Sequence, residues 1–375
     1  MRIALVANST WNIYNFRLNV IDKLLSEGHE VVVIAPVDEY LEYKEKYPEI
    51  RHYDIRALDR DSTNPLKDIL LTLELIRRYR IVKPDLILHY TNKPNIFGGI
   101  AASRRKYKSI AMVTGLGYPF IKGGWIKKLT SMLYKYSSKY HSKFIFENIA
   151  DRELFEEKNI IRKGQGVSIK GCGVDVNYFS PRALGSNSKD EIIFTFIGRL
   201  LYDKGISEFA EAARLIKKNN ENVKFWVVGE LDPDNPATVE KEKLTYWVNH
   251  EIIEYHGFQR DVRDIIAQSS CIVLPSYREA IPRTITEGMA MAKPVITTDT
   301  AGCREAVDVG QNGFLVEVKN ANSLVNAFEQ FIQMDESERV AMGKKGREKV
   351  LNEFDDRKIA NDIYREIELV LDIKK

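Results

Sequence analysis

The sequence predicts an α/β protein made of two Rossmann-like, doubly wound parallel sheets in tandem, facing one another across a cleft. Short apolar runs rich in Val and Ile alternate with helix-length segments of apolar spacing, as parallel strands buried on both faces require. The alternation starts twice, at Arg2 and again at Ile192. Between the two series lies SPRALGSNSKDE (180–191), whose Ser, Gly and Pro read as a linker, and 375 residues suit two domains of roughly 150 or more each. The domains are drawn as 1–180 and 181–356, with a last helix, 357–375, packing back on the first.

In chain order, RIALVAN reads as a buried strand, FRLNVIDKLLSEG as one helix stopped by Gly28, and HEVVVIAP as the next strand. The same rhythm returns in LTLELIRRYRIVKPDLILHY, KYKSIAMVTG and KFIFEN. The second series runs IIFTFIGR, a helix from Ser207, VKFWVVGE, IIEYHG, CIVLP, PVITT and GFLVEV, with helices between, and closes with helices over Ala321–Gln333, Glu336–Phe354 and from Arg357 onward.

Charge is divided unevenly. Residues 1–180 hold 29 Lys and Arg against 20 Asp and Glu, while the remainder holds 27 against 33. From Leu86 to Phe146 there are eleven basic residues and no acidic one, a surface that attracts phosphate or anionic headgroups. Cys172, Cys271 and Cys303 are widely spaced and odd in number, so neither a disulfide framework nor a zinc knuckle is indicated. No apolar run approaches the ~18 residues of a membrane span, and MRIALVANSTWN lacks a signal-peptide core. A cytoplasmic protein, peripheral at the inner face of the membrane, is expected. A nicotinamide oxidoreductase would need G-x-G-x-x-G after the first strand, where this chain has ANSTWNIYNFR.

Two stretches carry chemistry. In FIGRLLYDKG (196–205), Arg199 and Lys204 follow a strand, where two fixed cations suit a diphosphate. In REAIPRTITEG, Pro282 suits a first helical turn, so the amides of Arg283 and Thr284 lie at a helix N-terminus, a ready phosphate site. Glu279 precedes that helix and Glu287 lies within it; each carboxylate suits vicinal sugar hydroxyls.

With Arg199 and Lys204 upstream, the Glu279-x7-Glu287 pattern resembles the retaining GT-B glycosyltransferases of family 4, and the resemblance extends through GVDVNYFSP (173–181) and NGFLV (312–316). It implies that Arg199 and Lys204 hold the donor diphosphate, Glu287 the ribose and Glu279 the donor hexose. Ile281, Pro282, Arg283 and Thr284 would support sugar and phosphate, while Arg260 and Val262 in HGFQRDVRD would flank the uracil. Glu279, Arg199 and Lys204 are the expected catalytic residues, the donor a UDP-sugar, with no cofactor and no metal. The family usually has glycine after the first glutamate; here it is Ala280, whose extra methyl is expected either to narrow the sugar pocket or to tilt Glu279.

The N-terminal half is similar to transferases, N-acetylgalactosaminyltransferases among them, that extend polyprenyl-diphosphate-linked sugars for surface polysaccharides and N-glycans. The similarity rests on NIYNFR (12–17), STNP (62–65), TNKPNIFGGIAA (91–102) and TGLGYPF (114–120). It implies acceptor contacts from Asn15, Arg17, Lys93 and Asn95 and close backbone approach at Gly115 and Gly117. Residues 123–143 form a basic amphipathic helix. At ~100° per residue, Trp125, Leu129, Met132 and Tyr136 share an arc with Ile126, Leu133 and Tyr140, and Lys127, Lys128, Lys135 and Lys139 are expected opposite it. Packed on its own domain it is a solvated basic face; otherwise it meets an anionic membrane. Asp232-x-Asp234 resembles a metal pattern, but the cations at 199 and 204 already supply positive charge. His89 ends a strand and reads as structural. No nucleic-acid partner is expected.

Overall fold

The computed structural model describes residues 1–59, 64–117, 120, 123–182, 191–233 and 235–373. Most of the expected linker, together with Ser62, Thr63, Tyr118, Pro119 and Asp234, lies outside the described residues. The chain divides into two compact units, Met1–Gly173 with Asp356–Lys375, and Val174–Asp355.

The first unit runs β1 (Arg2–Val6), α1 (Thr10–Phe16), α2 (Leu18–Ser26), β2 (Glu30–Ile34), α3 (Tyr43–Lys46), β3 (Arg51–Tyr53), α4 (Pro65–Val82) and β4 (Leu86–Tyr90). It continues through α5 (Gly99–Ser103), β5 (Lys108–Val113), α6 (Gly124–Ser137), β6 (Lys143–Phe146), α7 (Ile149–Glu157) and β7 (Gly166–Ser168). Its parallel seven-stranded sheet has the order β3-β2-β1-β4-β5-β6-β7. Period-two alternation sends Ile3 and Leu5 into the core on one face and Ala4 and Val6 into the core on the other.

The second unit runs β8 (Ile192–Ile197), α8 (Ile206–Ile216), β9 (Val223–Val228), α9 (Lys241–Asn249), β10 (Glu254–Tyr255), α10 (Arg263–Gln268) and β11 (Cys271–Leu274). Then come α11 (Arg283–Ala290), β12 (Val295–Thr298), α12 (Ala301–Ala306), β13 (Gly313–Val316), α13 (Ala321–Gln333) and α14 (Glu336–Lys349). Its sheet is parallel, ordered β10-β9-β8-β11-β12-β13, over a core in which Phe194 packs on Phe225, Phe328 and Phe331. The final helix, α15 (Asp356–Leu371), belongs to the first unit: Ile359, Ile363 and Ile367 join the core beneath α2, and Asn19 Nδ2 donates to the Asp356 carbonyl at 3.0 Å.

Two boundaries differ from the sequence reading. Residues 174–180 belong to the second unit, because Arg347 donates to the carbonyls of Val176 and Phe179 at 2.9 Å and the Val174 amide to Phe354 at 2.9 Å. The helix read from Phe16 begins at Leu18 as α2, and another helix precedes it. Ser9 caps an extra helix, α1, by accepting from the Asn12 amide at 3.1 Å, and Arg17, at φ −127° and ψ 1°, breaks the helix before α2.

Candidate active site

In open α/β sheets, ligands bind beyond the carboxyl ends of strands where the winding reverses. In the second unit that point lies between β8 and β11. The loop after β8 carries Arg199 and Lys204; the loop after β11 carries Glu279 and leads into α11 with Glu287. The expected donor residues therefore converge on one edge of one sheet.

The two loops are tied by backbone bonds. The Tyr277 amide donates to the Asp203 carbonyl at 2.8 Å, and Ser276 Oγ donates to the same carbonyl at 3.1 Å. Gly205 (φ 77°) makes the approach possible, since a Cβ there would stand 2.0 Å from the Pro275 carbonyl oxygen. Lys204 Nζ consequently reaches Glu279 Oε1 in a hydrogen-bonded ion pair. Arg199 pairs with Asp232 at 2.8 Å. Asp203, between the two cations in sequence, is half-buried; desolvation pushes its carboxyl up, with Lys204 opposing.

Pro282 is the N-cap of α11, one position before the first turn expected for it, and its carbonyl accepts the Ile285 and Thr286 amides at 3.1 and 3.2 Å. The amides of Arg283 and Thr284 thus fall in the first turn, where no carbonyl of the helix precedes them. Ile281 and Pro282 are buried beside it. Glu287 is 9% exposed and faces Arg283 at 2.7 Å; burial pushes its carboxyl up and Arg283 opposes this. The methyl of Ala280 is buried, and its carbonyl is where a Cβ on Gly302 of α12 would fall, at 1.1 Å. Only glycine at 302 leaves room for the loop that carries Glu279. Sequence reasoning missed Gly302 and Asp203; the small residues of TAGC were the available signal for the first.

Arg260 is exposed and Val262, half-buried, caps α10. Their loop is fixed to the end of β9 by the Gly229 amide, which donates to the Gly257 carbonyl at 2.9 Å. It therefore lies along the same strand edge as Arg199.

In the first unit the winding reverses between β1 and β4. Lys93 follows β4 there, and the Gly115–Gly117 turn after the neighbouring β5 lies beside it: Asn92 Nδ2 donates to the Leu116 carbonyl at 3.5 Å, and the glycines hold φ of 102° and 62°. Lys93 pairs with Asp68 at 2.8 Å. Asn15 sits on α1, its Nδ2 donating to the Trp11 carbonyl at 3.0 Å.

Two residues expected at the acceptor have buried partners inside the unit. The Arg17 guanidinium is buried, 3.1 Å from Glu147 and 4.4 Å from the Tyr90 ring centroid, so it pairs with the core. Burial pushes the Glu147 carboxyl up, and Arg17 opposes this. Asn95 is buried in a single-turn π-helix over Pro94–Gly98; its Nδ2 donates to the Met112 carbonyl at 3.0 Å and contacts Tyr134 Oη of α6 at 3.3 Å. It anchors α6. His89 is structural as read: fully buried, with its Nε2 hydrogen-bonded to Tyr79 Oη at 2.8 Å.

Helix α6 buries Tyr134 and leaves Trp125, Leu129, Met132 and Tyr136 exposed, at 68, 43, 66 and 50%. Lys128 and Lys135, on α6, and Lys139, just beyond it, are exposed with that row rather than opposite it, while Lys127 turns inward over the Phe120 ring. No helix among the described residues is long and apolar enough to cross a membrane.

Residues 2–148 match the glycosyl transferase 4-like family and residues 180–349 the glycosyl transferases group 1. The chain is 28% identical, over 96% of both chains, to the N,N'-diacetylbacillosaminyl-diphospho-undecaprenol alpha-1,3-N-acetylgalactosaminyltransferase of Campylobacter jejuni. It is 25% identical to a UDP-Gal:alpha-D-GlcNAc-diphosphoundecaprenol alpha-1,3-galactosyltransferase of Escherichia coli, over 85% of this chain and 83% of the relative. The fold matches that of a sucrose-phosphate synthase from Thermosynechococcus elongatus over the full length of both chains, with a TM-score of 0.82 at 20% identity. With both halves matched and the donor-type loops joined at one strand edge, the chain belongs to the group 1, family 4-like GT-B glycosyltransferases.

Proposed function

We propose that this glycosyltransferase moves a hexose or N-acetylhexosamine from a UDP-sugar to a polyprenyl-diphosphate-linked sugar, with retention at the anomeric carbon and without a metal or cofactor. The observation that carries the reading is the meeting of Lys204 with Glu279 at the winding reversal of the second sheet, on the loop that leads into α11 and its buried Glu287. In this reading Arg199 and Lys204 neutralise the diphosphate, supported by the first-turn amides of α11. Glu279 accepts from hexose hydroxyls and Glu287 from the ribose, with Arg260 and Val262 at the base. The bond from anomeric carbon to phosphate oxygen breaks, the acceptor oxygen bonds the same face of that carbon, and the departing phosphate takes the acceptor proton. The protein positions the reactants and stabilises charge.

The relatives named above support a lipid-linked acceptor, and Lys93 with the Gly115–Gly117 turn offers its phosphate and sugar a place at the first sheet. The exposed row and lysines of α6 bring the enzyme to the inner, anionic face of the membrane. A panel of UDP-sugars against polyprenyl-diphosphate-linked sugars, with UDP release measured and the product's anomeric configuration determined, tests the proposal. Retention is expected; an inverted product overturns the mechanism, and turnover confined to water-soluble acceptors overturns the acceptor class.

A further inference from the structure

Helix α4 has two apolar faces. One packs inward through Leu71, Leu75, Tyr79 and Val82. The other is open: Leu66, Ile69, Leu70 and Leu73 are 69, 56, 57 and 57% exposed, at the i, i+3, i+4, i+7 spacing of a single stripe. At ~100° per residue, the exposed Arg77 and Arg80 continue that stripe toward the helix C-terminus. The two acidic residues of the helix are turned away and engaged within the chain. Asp68 pairs with Lys93 at 2.8 Å; Glu74 accepts from the Ala57 amide at 2.9 Å and faces Arg78 at 3.5 Å.

We propose that this face is a second membrane-docking element, which enters an anionic lipid surface beside α6; the proposal rests on the reading of the protein as peripheral to the membrane. Charge selects the occupant. A second copy of the face would bring no carboxylate to Arg77 or Arg80, and would set cations against cations or against leucines. A bilayer rich in anionic lipid takes the apolar half into its boundary and pairs the arginines with headgroup phosphates. Position agrees. The segment Asn92–Gly98 packs against both helices, through Lys93 to Asp68 of α4 and through Asn92 and Asn95 to Tyr134 of α6. The two helices that carry the open apolar rows therefore both pack on the segment that carries Lys93.

Sedimentation with vesicles of phosphatidylglycerol and phosphatidylcholine tests this, using the full chain, a Leu70→Gln/Leu73→Gln variant of α4 and a Trp125→Gln/Met132→Gln variant of α6. The substituted α4 positions face solvent, so the same unfolding midpoint and the same UDP release with a water-soluble acceptor are expected. Vesicle binding is expected to fall at least about tenfold in each variant. If the full chain binds and only the α6 variant loses binding, the α4 proposal is overturned while the peripheral reading stands. If the full chain does not bind, both fall. A full chain that is dimeric in solution and becomes monomeric on substitution in α4, with vesicle binding unchanged, would assign the face to a second copy and overturn the proposal.

Discussion

Lys204 and Glu279, 75 residues apart in sequence, form one hydrogen-bonded ion pair across the two loops at the winding reversal of the second sheet. Under the proposed function, a donor entering there would exchange this contact for two others, diphosphate on the lysine and sugar hydroxyls on the glutamate. Each member therefore guards the other's geometry before the donor arrives. Lys204→Met and Glu279→Gln are each expected to lower kcat/KM for a UDP-sugar by roughly 10²- to 10³-fold, the scale of removing one transition-state charge contact. The double variant should lose less than the product of the single losses, because the two act on one bound donor. UDP release measures this. Turnover within twofold of the parent in either single variant would remove the residue from the donor site.

Glu287 is held beside Arg283, with burial raising the carboxyl pKa and the guanidinium drawing it back. A buried carboxylate built for hydroxyl donors is most sensitive to their presence. Glu287→Gln is expected to cost roughly 10- to 100-fold in donor kcat/KM. With a donor lacking the ribose 2′- and 3′-hydroxyls, parent and variant should become nearly equal. A loss of the same size on both donors would show that Glu287 serves the helix and not the ribose.

What was legible in the sequence follows from how local each signal is. β1, β4, β8 and β11 announce themselves because strands buried on both faces are continuous apolar runs, and the donor loops follow directly from them. Arg17 was not legible: a cation at the end of a helix reads the same whether it meets a ligand or Glu147, 130 residues away. Helix α1 was missed because its cap, Ser9, lies in a run of polar residues that also reads as a loop. The lysines of α6 do not all lie opposite the apolar arc even by helical angle: at ~100° per residue Lys128, Lys135 and Lys139 fall within about 60° of its edge, and only Lys127 falls opposite, on the side of the buried Tyr134. Helix α4 hid its open face because apolar residues on two sides cancel the one-sided pattern that periodicity detects.

Gly302 sets the position of the loop after β11 by having no side chain. Its missing Cβ would stand 1.1 Å from the Ala280 carbonyl oxygen and 3.0 Å from that of Glu279. Gly302→Ala must therefore displace the backbone that carries Glu279. The expected outcome is a loss of about 1–3 kcal/mol in folding stability and a larger proportional loss in turnover. Urea unfolding and UDP release on the same preparation compare the two. Full activity in a stable Gly302→Ala protein would mean that the α12 contact does not position Glu279.

The buried pair Arg17–Glu147 predicts a stability defect where the sequence pointed to a binding defect. Both side chains are under 10% exposed. Truncating Arg17 to Ala leaves a carboxyl in the core without its cation, at an expected cost of about 3–5 kcal/mol. Arg17→Ala/Glu147→Ala removes both charges and should recover part of that loss. Denaturant midpoints of the two variants test this, and a variant with unchanged stability but weakened acceptor binding would return Arg17 to the acceptor site.

His89 and His141 make the segment around Asn95 sensitive to acid. The rings lie 5.3 Å apart, and Gly98 and Gly99 are pressed against them so closely that a Cβ on either would come within 2.3 Å of an imidazole atom. His141 donates from Nε2 to the Asn95 carbonyl at 2.7 Å, and its Nδ1 lies 3.0 Å from Ser109 Oγ. Burial holds its pKa at about 4 and holds that of His89 well below the ordinary value, with His141 adding to the shift. Both folded-state values are depressed, so their contribution to stability is complete above the unfolded pKa of about 6.5 and is lost as pH falls below it, down to about 4 for His141. Below pH 6 each histidine should remove about 1.4 kcal/mol per pH unit, because the unfolded chain takes up a proton that the folded one refuses. Glu147, with its pKa raised, acts in the opposite sense over the carboxylate range. Urea unfolding at pH 7, 6 and 5 gives the slope. The imidazole proton resonances of His89 and His141 should keep their neutral positions down to pH 5, and a midpoint near 6.5 for either ring would refute the assignment.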